Sequence, residues 1–284
     1  MAYKPTRKVD IIVLNWNGLS HLDTCLRALS AQTYQNFEVT VVDNGSEDNS
    51  IKWLQAQEIT RTKIIQSISN LGFAGGNAIG LASTEKRSPF IVLLNNDTAP
   101  EPNWLAALVA SAQGNDRIGA VASLIVDWAG THIDSAGDGI RLTGRGYQRF
   151  RGRRREDTPN SGPVFSACAG AVLYRRAMLD EIGFLDERFF MNAEDTDLCF
   201  RARLAGWEVW YCADAVVRHR VSASQGVDSA NNVYFNERNH IWSVVKCMPN
   251  YLLWKYSWAH MLEQPVRAIR FARRGRFIPW ARGL

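Results

Sequence analysis

The chain has 284 residues, 46% of them hydrophobic and 21% charged, with a formal net charge of +5. That length and balance fit one large α/β domain with some C-terminal residues left over, and they exclude a disordered or fibrous chain. The five cysteines (Cys25, Cys168, Cys199, Cys212, Cys247) include no C-x-x-C pair, which argues against a zinc site or disulfide framework and fits a reducing cytoplasm. Met1 to Asp10 lacks an apolar stretch with a small-residue cleavage site, so no signal peptide is expected, and no apolar run approaches the length of a membrane span.

Residues 9–14 form a short apolar run, predicted to be a buried strand, that ends in a polar turn, NWNG (15–18). A helix is expected over 20–31, where Leu22, Cys25, Leu26 and Leu29 recur at helical spacing and Ser20 or Asp23 offers a cap. Residues 37–42 read as a second strand closing on DNGS (43–46), and 50–57 as a helix. A third strand at 63–66 leads into the glycine-rich NLGFAGGN (70–77), followed by a helix to about Thr84. A fourth strand at 90–94 ends in NNDT (95–98), and a helix over 99–112 would follow, with Pro100 and Pro102 at early positions. Strand, polar turn and helix recur with short connections, which predicts a parallel α/β sheet. Ligands of such sheets sit outside the carboxyl ends of the strands, where Asn15, Asp43, Asn70 and Asp97 all fall.

The second half is less regular. Residues 137–162, rich in Gly and Arg, read as a loop or hairpin rather than a domain boundary. Residues 165–174 are small and apolar, a helix is expected from the acidic cluster at 194 through Ala205 with Gly206 as its C-terminal stop, and 207–211 resume as a strand.

The glycines at 72–76 lack both G-x-G-x-x-G spacing and a following Gly-Lys-Ser/Thr, so the two common phosphate-loop readings fail. Asp97, at a strand end beside the amides Asn95 and Asn96, suits a hard divalent cation that also holds phosphate oxygens, or else caps the next helix. Glu194, Asp195 and Asp197 crowd three carboxylates into four residues at a helix start. Capping explains part of that. Mutual repulsion should also raise at least one pKa, which suits a general base. His219, at a strand end, is either a ligand or a partly buried histidine.

In this order, VLNWNG (13–18), VVDNGS (41–46), NLGFAGGN (70–77), LLNNDT (93–98), GFLDERFF (183–190), EDTDL (194–198), RH (218–219) and ERN (237–239) resemble the inverting family-2 glycosyltransferases of the GT-A fold, in particular their bacterial rhamnosyltransferase-like branch. The resemblance covers roughly residues 9–245 and implies a mostly parallel central sheet flanked by helices, with residues 246–284 as a C-terminal helical extension. It implies that Asn15, Asp43, Asn70, Gly72, Asn77 and Asn96 hold the nucleotide sugar, Asp43 through the base. Asp97 matches the last acid of the family's D-x-D metal motif, whose first acid is replaced here by Asn95, and His219 would share a Mg²⁺ or Mn²⁺ ion with it. Asp195 matches the catalytic base, with Glu194, Asp197 and Arg238 as supports or acceptor contacts.

The implied reaction moves a sugar from a dTDP- or UDP-sugar, rhamnose being the first candidate, to a hydroxyl of a glycan or polyprenyl-diphosphate-linked acceptor. Residues 246–284 carry eight Lys/Arg, one acid (Glu263) and seven aromatics. This composition fits an interfacial segment on the inner face of the plasma membrane, or else a helical flap on the domain. Two other functions compete with transfer: a nucleotide-sugar-binding protein without turnover, and a sugar-phosphate nucleotidyltransferase, which would need an N-terminal glycine-rich loop that NWNG is not. The arginines at 149–155 come without a nucleic-acid recognition motif, so contact with an acceptor pyrophosphate is expected of them instead.

Overall fold

The computed structural model describes residues 7–57, 61–220 and 229–284, so part of the N-terminal stretch read above for a leader lies outside the described residues. The first half alternates as expected: β1 (Val9–Asn15), α1 (Leu19–Ser30), β2 (Phe37–Asp43), α2 (Ser50–Ala56), β3 (Thr62–Gln66), α3 (Gly72–Ala82) and β4 (Phe90–Asn95). There follow β5 (Thr98–Pro100), α4 (Trp104–Gly114), β6 (Ile118–Asp127), β7 (Ile133–Ala136), β8 (Asp138–Ile140), β9 (Gly146–Gln148) and β10 (Gly162–Pro163). The chain closes with β11 (Ala171–Arg175), α5 (Arg176–Ile182), α6 (Glu194–Leu204), β12 (Glu208–His219), α7 (Ala230–Cys247), α8 (Asn250–Arg273) and α9 (Phe277–Arg282).

The central sheet runs β10-β12-β6-β11-β4-β1-β2-β3, with β5 and β7 paired at its margin to β12 and β6. β3, β2, β1 and β4 are parallel neighbours, as are β6 and β12, while β11 runs antiparallel between β4 and β6. The expected mostly parallel sheet is therefore present, with one reversed strand in its middle. Helices cover both faces, so the strands are apolar on both sides. Val9, Ile11 and Val13 of β1 face one core layer and Ile12 the other, the alternation a strand imposes.

Three elements differ from expectation. No helix starts at Ala99: residues 98–100 form β5, and α4 begins only at Trp104. Each proline disfavours helical geometry in the residue before it, here Ala99 and Glu101, and pairing with β12 settles 98–100 as a strand. α3 begins inside the glycine-rich stretch rather than after it. Its glycines let the helix lie close on the sheet, and a Cβ on Gly80 would sit 2.5 Å from Ile12 Cγ2. β12 continues through residue 219, well past the expected 211. The region 137–162 does contain a hairpin, β8–β9.

The last three helices form one unit on the side of the domain, and α7 runs through the 245/246 boundary expected between domain and extension. Leu252 and Leu253 of α8 pack with Phe200, Val244 and Met248, and α9 folds back so that Trp280 meets Val233 and Phe271. Among the described residues, no helix is long and apolar enough to cross a membrane.

Gly72 ties the glycine-rich helix to the loop before α6. It has φ +75°, and a Cβ there would lie 2.4 Å from the Phe190 carbonyl oxygen, which accepts from the amides of Phe73 and Ala74. Gly72→Ala should therefore lower unfolding stability by about 1–3 kcal/mol, the usual cost of one strained backbone position. Urea denaturation at unchanged m-value checks this; a wild-type midpoint would show that the loop yields freely.

Candidate active site

The polar ends of β1, β2, β4 and β12 gather beside a cavity of about 460 Å³, within the size range of small-molecule sites. Its wall includes Asn70, Gly72, Asn96, Asp97, Glu194, Asp195 and His219, so seven of the sequence-derived candidates meet there. Asn15 and Asp43 stand just behind the wall. Both are fully buried, Asn15 Nδ2 donates to Asp43 Oδ2 at 2.9 Å, and Asn96 Nδ2 donates to Asn15 Oδ1 at 2.6 Å. Their strand neighbours Leu14, Trp16 and Asn44 reach the cavity instead. Asn44 Nδ2 donates to Asn70 Oδ1 and to the Gly72 carbonyl, while Asn70 Oδ1 accepts from the Gly72 amide, so the loop entering α3 is held by side-chain amides.

Asp97 and His219 are 122 positions apart in the chain and adjacent in space. β5 begins at the residue after Asp97 and pairs antiparallel with the end of β12, setting Thr98 opposite His219; the Arg220 amide then donates to the Asp97 carbonyl at 3.0 Å. His219 Nε2 lies 3.4 Å from Asp97 Oδ1, and that buried oxygen has no partner besides the imidazole. Two ligands at right angles on a cation, each at about 2.1 Å, would be about 3.0 Å apart, so the donor pair fits a divalent metal with little movement. The other ring nitrogen, Nδ1, faces Asp134 Oδ2 at 3.6 Å, the carboxylate–histidine arrangement that orients metal-binding imidazoles. Burial alone would lower the imidazole's pKa; Asp134 and Asp97 outweigh it and push it up to about 9.

Across the first turn of α6, the acidic cluster divides into unlike parts. Asp195 Oδ2 accepts from the Ala169 amide at 3.1 Å and Oδ1 from the Thr196 amide at 2.6 Å, which fixes the carboxylate's orientation. Burial raises its pKa against those hydrogen bonds. Glu194 is buried with Oε2 lacking a partner, and burial together with the Asp195 charge raises its pKa. Asp138, on the β8–β9 hairpin, is pushed up to about 7 by burial and by Asp195. Donor atoms of Asp138, Cys168 and Asp195 lie within 4.8 Å of one another. The site therefore holds carboxylates whose environment favours proton uptake.

The loop that delivers Asp195 is strained. Phe190 (φ 64°), Asn192 (φ 69°) and Ala193 (φ 65°) are non-glycine residues in the left-handed region. Asn239 of α7 holds them, its Nδ2 shared among the carbonyls of Phe189, Met191 and Asn192 at 2.7–2.9 Å. Arg238 braces the same loop, donating to the Arg188 and Phe189 carbonyls and stacking over Trp242 at 4.2 Å.

Besides Asn15 and Asp43, Asn77, Asp197 and the arginine run stand off the cavity wall. Asn77 is buried within α3, bonded to the Phe73 carbonyl. Asp197 is fully buried against Arg201, Lys246 and Cys247, so it is not on the cavity wall as an acceptor contact. Arg238 takes the first of its two expected parts, as a support of the loop. The arginine run is also engaged elsewhere: Arg151 pairs with Asp134, Arg154 with Glu156 and Arg155 with Glu101. The cavity's arginine is Arg145, which bonds Glu237 of α7 and Glu263 of α8. Asp134, Asp138, Arg145 and Asn239 were not singled out from sequence. The triplet at 237–239 was the one visible signal for Asn239.

A model of the family described as glycosyl transferase family 2 matches residues 10–183, more than half of the chain. The chain belongs to that family. An N-acetylglucosaminyl-diphospho-decaprenol L-rhamnosyltransferase of Mycobacterium tuberculosis (strain ATCC 25618 / H37Rv) is 27% identical over 249 residues, covering 80% of this chain and 81% of that protein. The O-antigen biosynthesis protein RfbC of Myxococcus xanthus is 29% identical over 79% of this chain but only 18% of its own length. Among solved structures, GalNAc-T7 with UDP, GalNAc and Mn²⁺ superposes with a TM-score of 0.69 at 16% identity, over 89% of this chain and 50% of that one. S. aureus TarS 1-349 in complex with UDP-GlcNAc gives 0.61 at 17% identity, over 86% and 68%. These likenesses show the GT-A fold. As a family-2 glycosyltransferase, the protein transfers a sugar from a nucleotide-sugar donor.

The burial of Asp197 separates its role from that of Asp195. Removing one partner of a buried ion pair costs about 3–5 kcal/mol. Asp197→Ala should therefore destabilise the protein by roughly that amount while the folded enzyme keeps its affinity for nucleoside diphosphate. Denaturation and calorimetric titration check both halves; normal stability with lost acceptor binding would return Asp197 to the site.

Proposed function

We propose that this glycosyltransferase works by a single inverting displacement, with Asp195 as base and with Asp97 and His219 holding a divalent cation. The acceptor is a hydroxyl of a glycan carried on a polyprenyl diphosphate, and the sugar is rhamnose from a dTDP donor ahead of a UDP-sugar. The observation that carries the proposal is the placement of the Asp97 carboxylate, the His219 ring beside it and an anchored Asp195 carboxylate on one cavity wall. The mycobacterial relative, named for rhamnosyl transfer to a diphospho-decaprenol acceptor, supports the substrate classes. Mn²⁺ in the GalNAc-T7 structure supports the metal. The expected place of work is the cytoplasmic face of the membrane.

A bound divalent cation would supply charge neutralisation for the departing diphosphate. The protein's residues do the rest. The Asn44–Asn70–Gly72 network shapes the donor side of the cavity, and the amides of Ala169 and Thr196 hold Asp195 ready for the acceptor hydroxyl. As that oxygen bonds to the anomeric carbon, its proton passes to Asp195 and the bond to the diphosphate breaks, its electron pair leaving with the diphosphate. One displacement on one face inverts the anomeric centre, and no covalent sugar–enzyme adduct forms.

Asp195→Asn should bind donor normally and lose about 10²–10⁴-fold in turnover, the usual worth of a general base. The product should carry inverted anomeric configuration by NMR; retention would eliminate the single displacement. Because burial raises the Asp195 pKa, the ionised base is lost as pH falls through a value above the ordinary carboxylate range of about 4. A plot of kcat/KM against pH should therefore show an acid limb there. A limb at or below pH 4 would remove Asp195 as the titrating base.

Asp97→Ala should abolish metal-dependent donor binding, with His219→Ala a smaller loss. Calorimetry with and without EDTA reads this directly, and unchanged affinity in both variants would place the cation elsewhere.

A further inference from the structure

α8 carries apolar residues on both its inward and its outward side. Residues 252, 253, 256, 259, 260, 263, 264, 267, 268 and 271 turn towards the protein. Three of their polar members are engaged there: Glu263 with Arg145, Arg267 with Glu237, and His260 stacked on His240. The opposite face carries Tyr251, Trp254, Trp258, Met261, Leu262, Val266 and Ile269, all exposed, with Trp254 at 81% and Met261 at 74%. Their spacing of three and four residues puts them on a single stripe. At 1.5 Å per residue that stripe is about 27 Å long. A helix normally turns such a stripe inward. Here the protein takes a mixed face, with Leu252, Leu253 and Phe271 beside the ion pairs, and leaves a second, apolar stripe outside. Phe277 and Ile278 of α9 extend the exposed apolar surface.

The charges around the stripe are of one sign. Lys255, Arg270, Arg273 and Arg282 are exposed, and the only acid after Lys246, Glu263, faces inward on Arg145. We propose that the outward face of α8, with the start of α9, is a docking surface for an anionic lipid bilayer. The Trp, Met and Leu side chains enter the interface while the flanking cations meet lipid phosphates. A second copy of the chain fits the face poorly, because a two-fold pairing would bring these cations together without an acid on either face to offset them. The docked helix would also be tied to the catalytic cavity, since Arg145 lines that cavity and bonds Glu263 of α8. That agrees with a lipid-linked acceptor, but lipid docking rests on α8 alone and its test uses neither donor nor acceptor, so the two readings fail separately.

The test is flotation of the full-length protein with phosphatidylglycerol or phosphatidylcholine vesicles, at low and high salt. Binding to phosphatidylglycerol at low salt, at least tenfold above phosphatidylcholine and weakened by high salt, is expected. Trp254→Glu with Trp258→Glu and Leu262→Glu should reduce partitioning at least tenfold while melting temperature and nucleotide binding stay at wild type. Should that variant misfold, brominated phosphatidylglycerol gives an independent reading on the wild-type protein: tryptophan emission should be quenched, and less so in Trp254→Phe/Trp258→Phe. Absence of vesicle binding at low salt, equal binding to both lipids, or quenching unchanged by the phenylalanine pair would overturn the proposal. A wild-type dimer that the glutamate variant dissociates would also overturn it, assigning the face to a second copy.

Discussion

The three-residue pairing of β5 with the end of β12 is the constraint on which the rest of the site depends. It is a small element: Thr98, Ala99 and Pro100 against His219, Arg218 and Val217. It nevertheless closes a loop of more than a hundred residues, so that an aspartate from the parallel half of the sheet meets a histidine from the other half. The long parallel ladder between β6 and β12 carries His219 to that position, and β7, on the other side of β6, brings Asp134 behind the imidazole. Without the backbone register, the two donors would be unrelated polar residues at separate strand ends.

A second device supplies the opposite part of the cavity. Three left-handed residues before α6 store strain of about 1–3 kcal/mol each, and the Asn239 amide together with the Arg238 guanidinium on α7 offsets it. α7 also contributes Glu237, which holds Arg145 and Arg267. The helices after the sheet thus act on the site through hydrogen bonds to its backbone and through ion pairs, Lys246 on Asp186 and Asp197 and the cluster around Glu237. The ion-pair cluster around Glu237 shares the inner face of α8 with Leu252, Leu253 and Phe271, while a second apolar stripe of that helix faces out.

Much of the parallel half was legible in the sequence, because strands buried on both faces read as apolar runs and the polar residues that end them mark the rim. The positions of Asp97, Asn70, Glu194, Asp195 and His219 followed from that pattern and from motif order. What was not legible depended on long-range pairing. Pro100 and Pro102 fit a helix start as easily as an extended edge, and only the partner strand decides between them. Asn15 and Asp43 were read as ligand contacts, yet their amide and carboxylate satisfy each other just behind the wall. Asp134, Asp138 and Arg145 lie in a region whose composition announces only a loop. Asp197 and Asp195 look alike in sequence; one faces Lys246 and Arg201, the other the cavity.

The central claim is that Asp97 and His219 together hold the cation that carries the donor's diphosphate. Pulsed EPR of Mn²⁺ in the complex of the protein with a nucleoside diphosphate tests it most directly. The account predicts ³¹P couplings and a ¹⁴N coupling on the same ion, with the nitrogen signal lost in His219→Gln. Phosphorus couplings without any nitrogen coupling in the wild-type protein would contradict it.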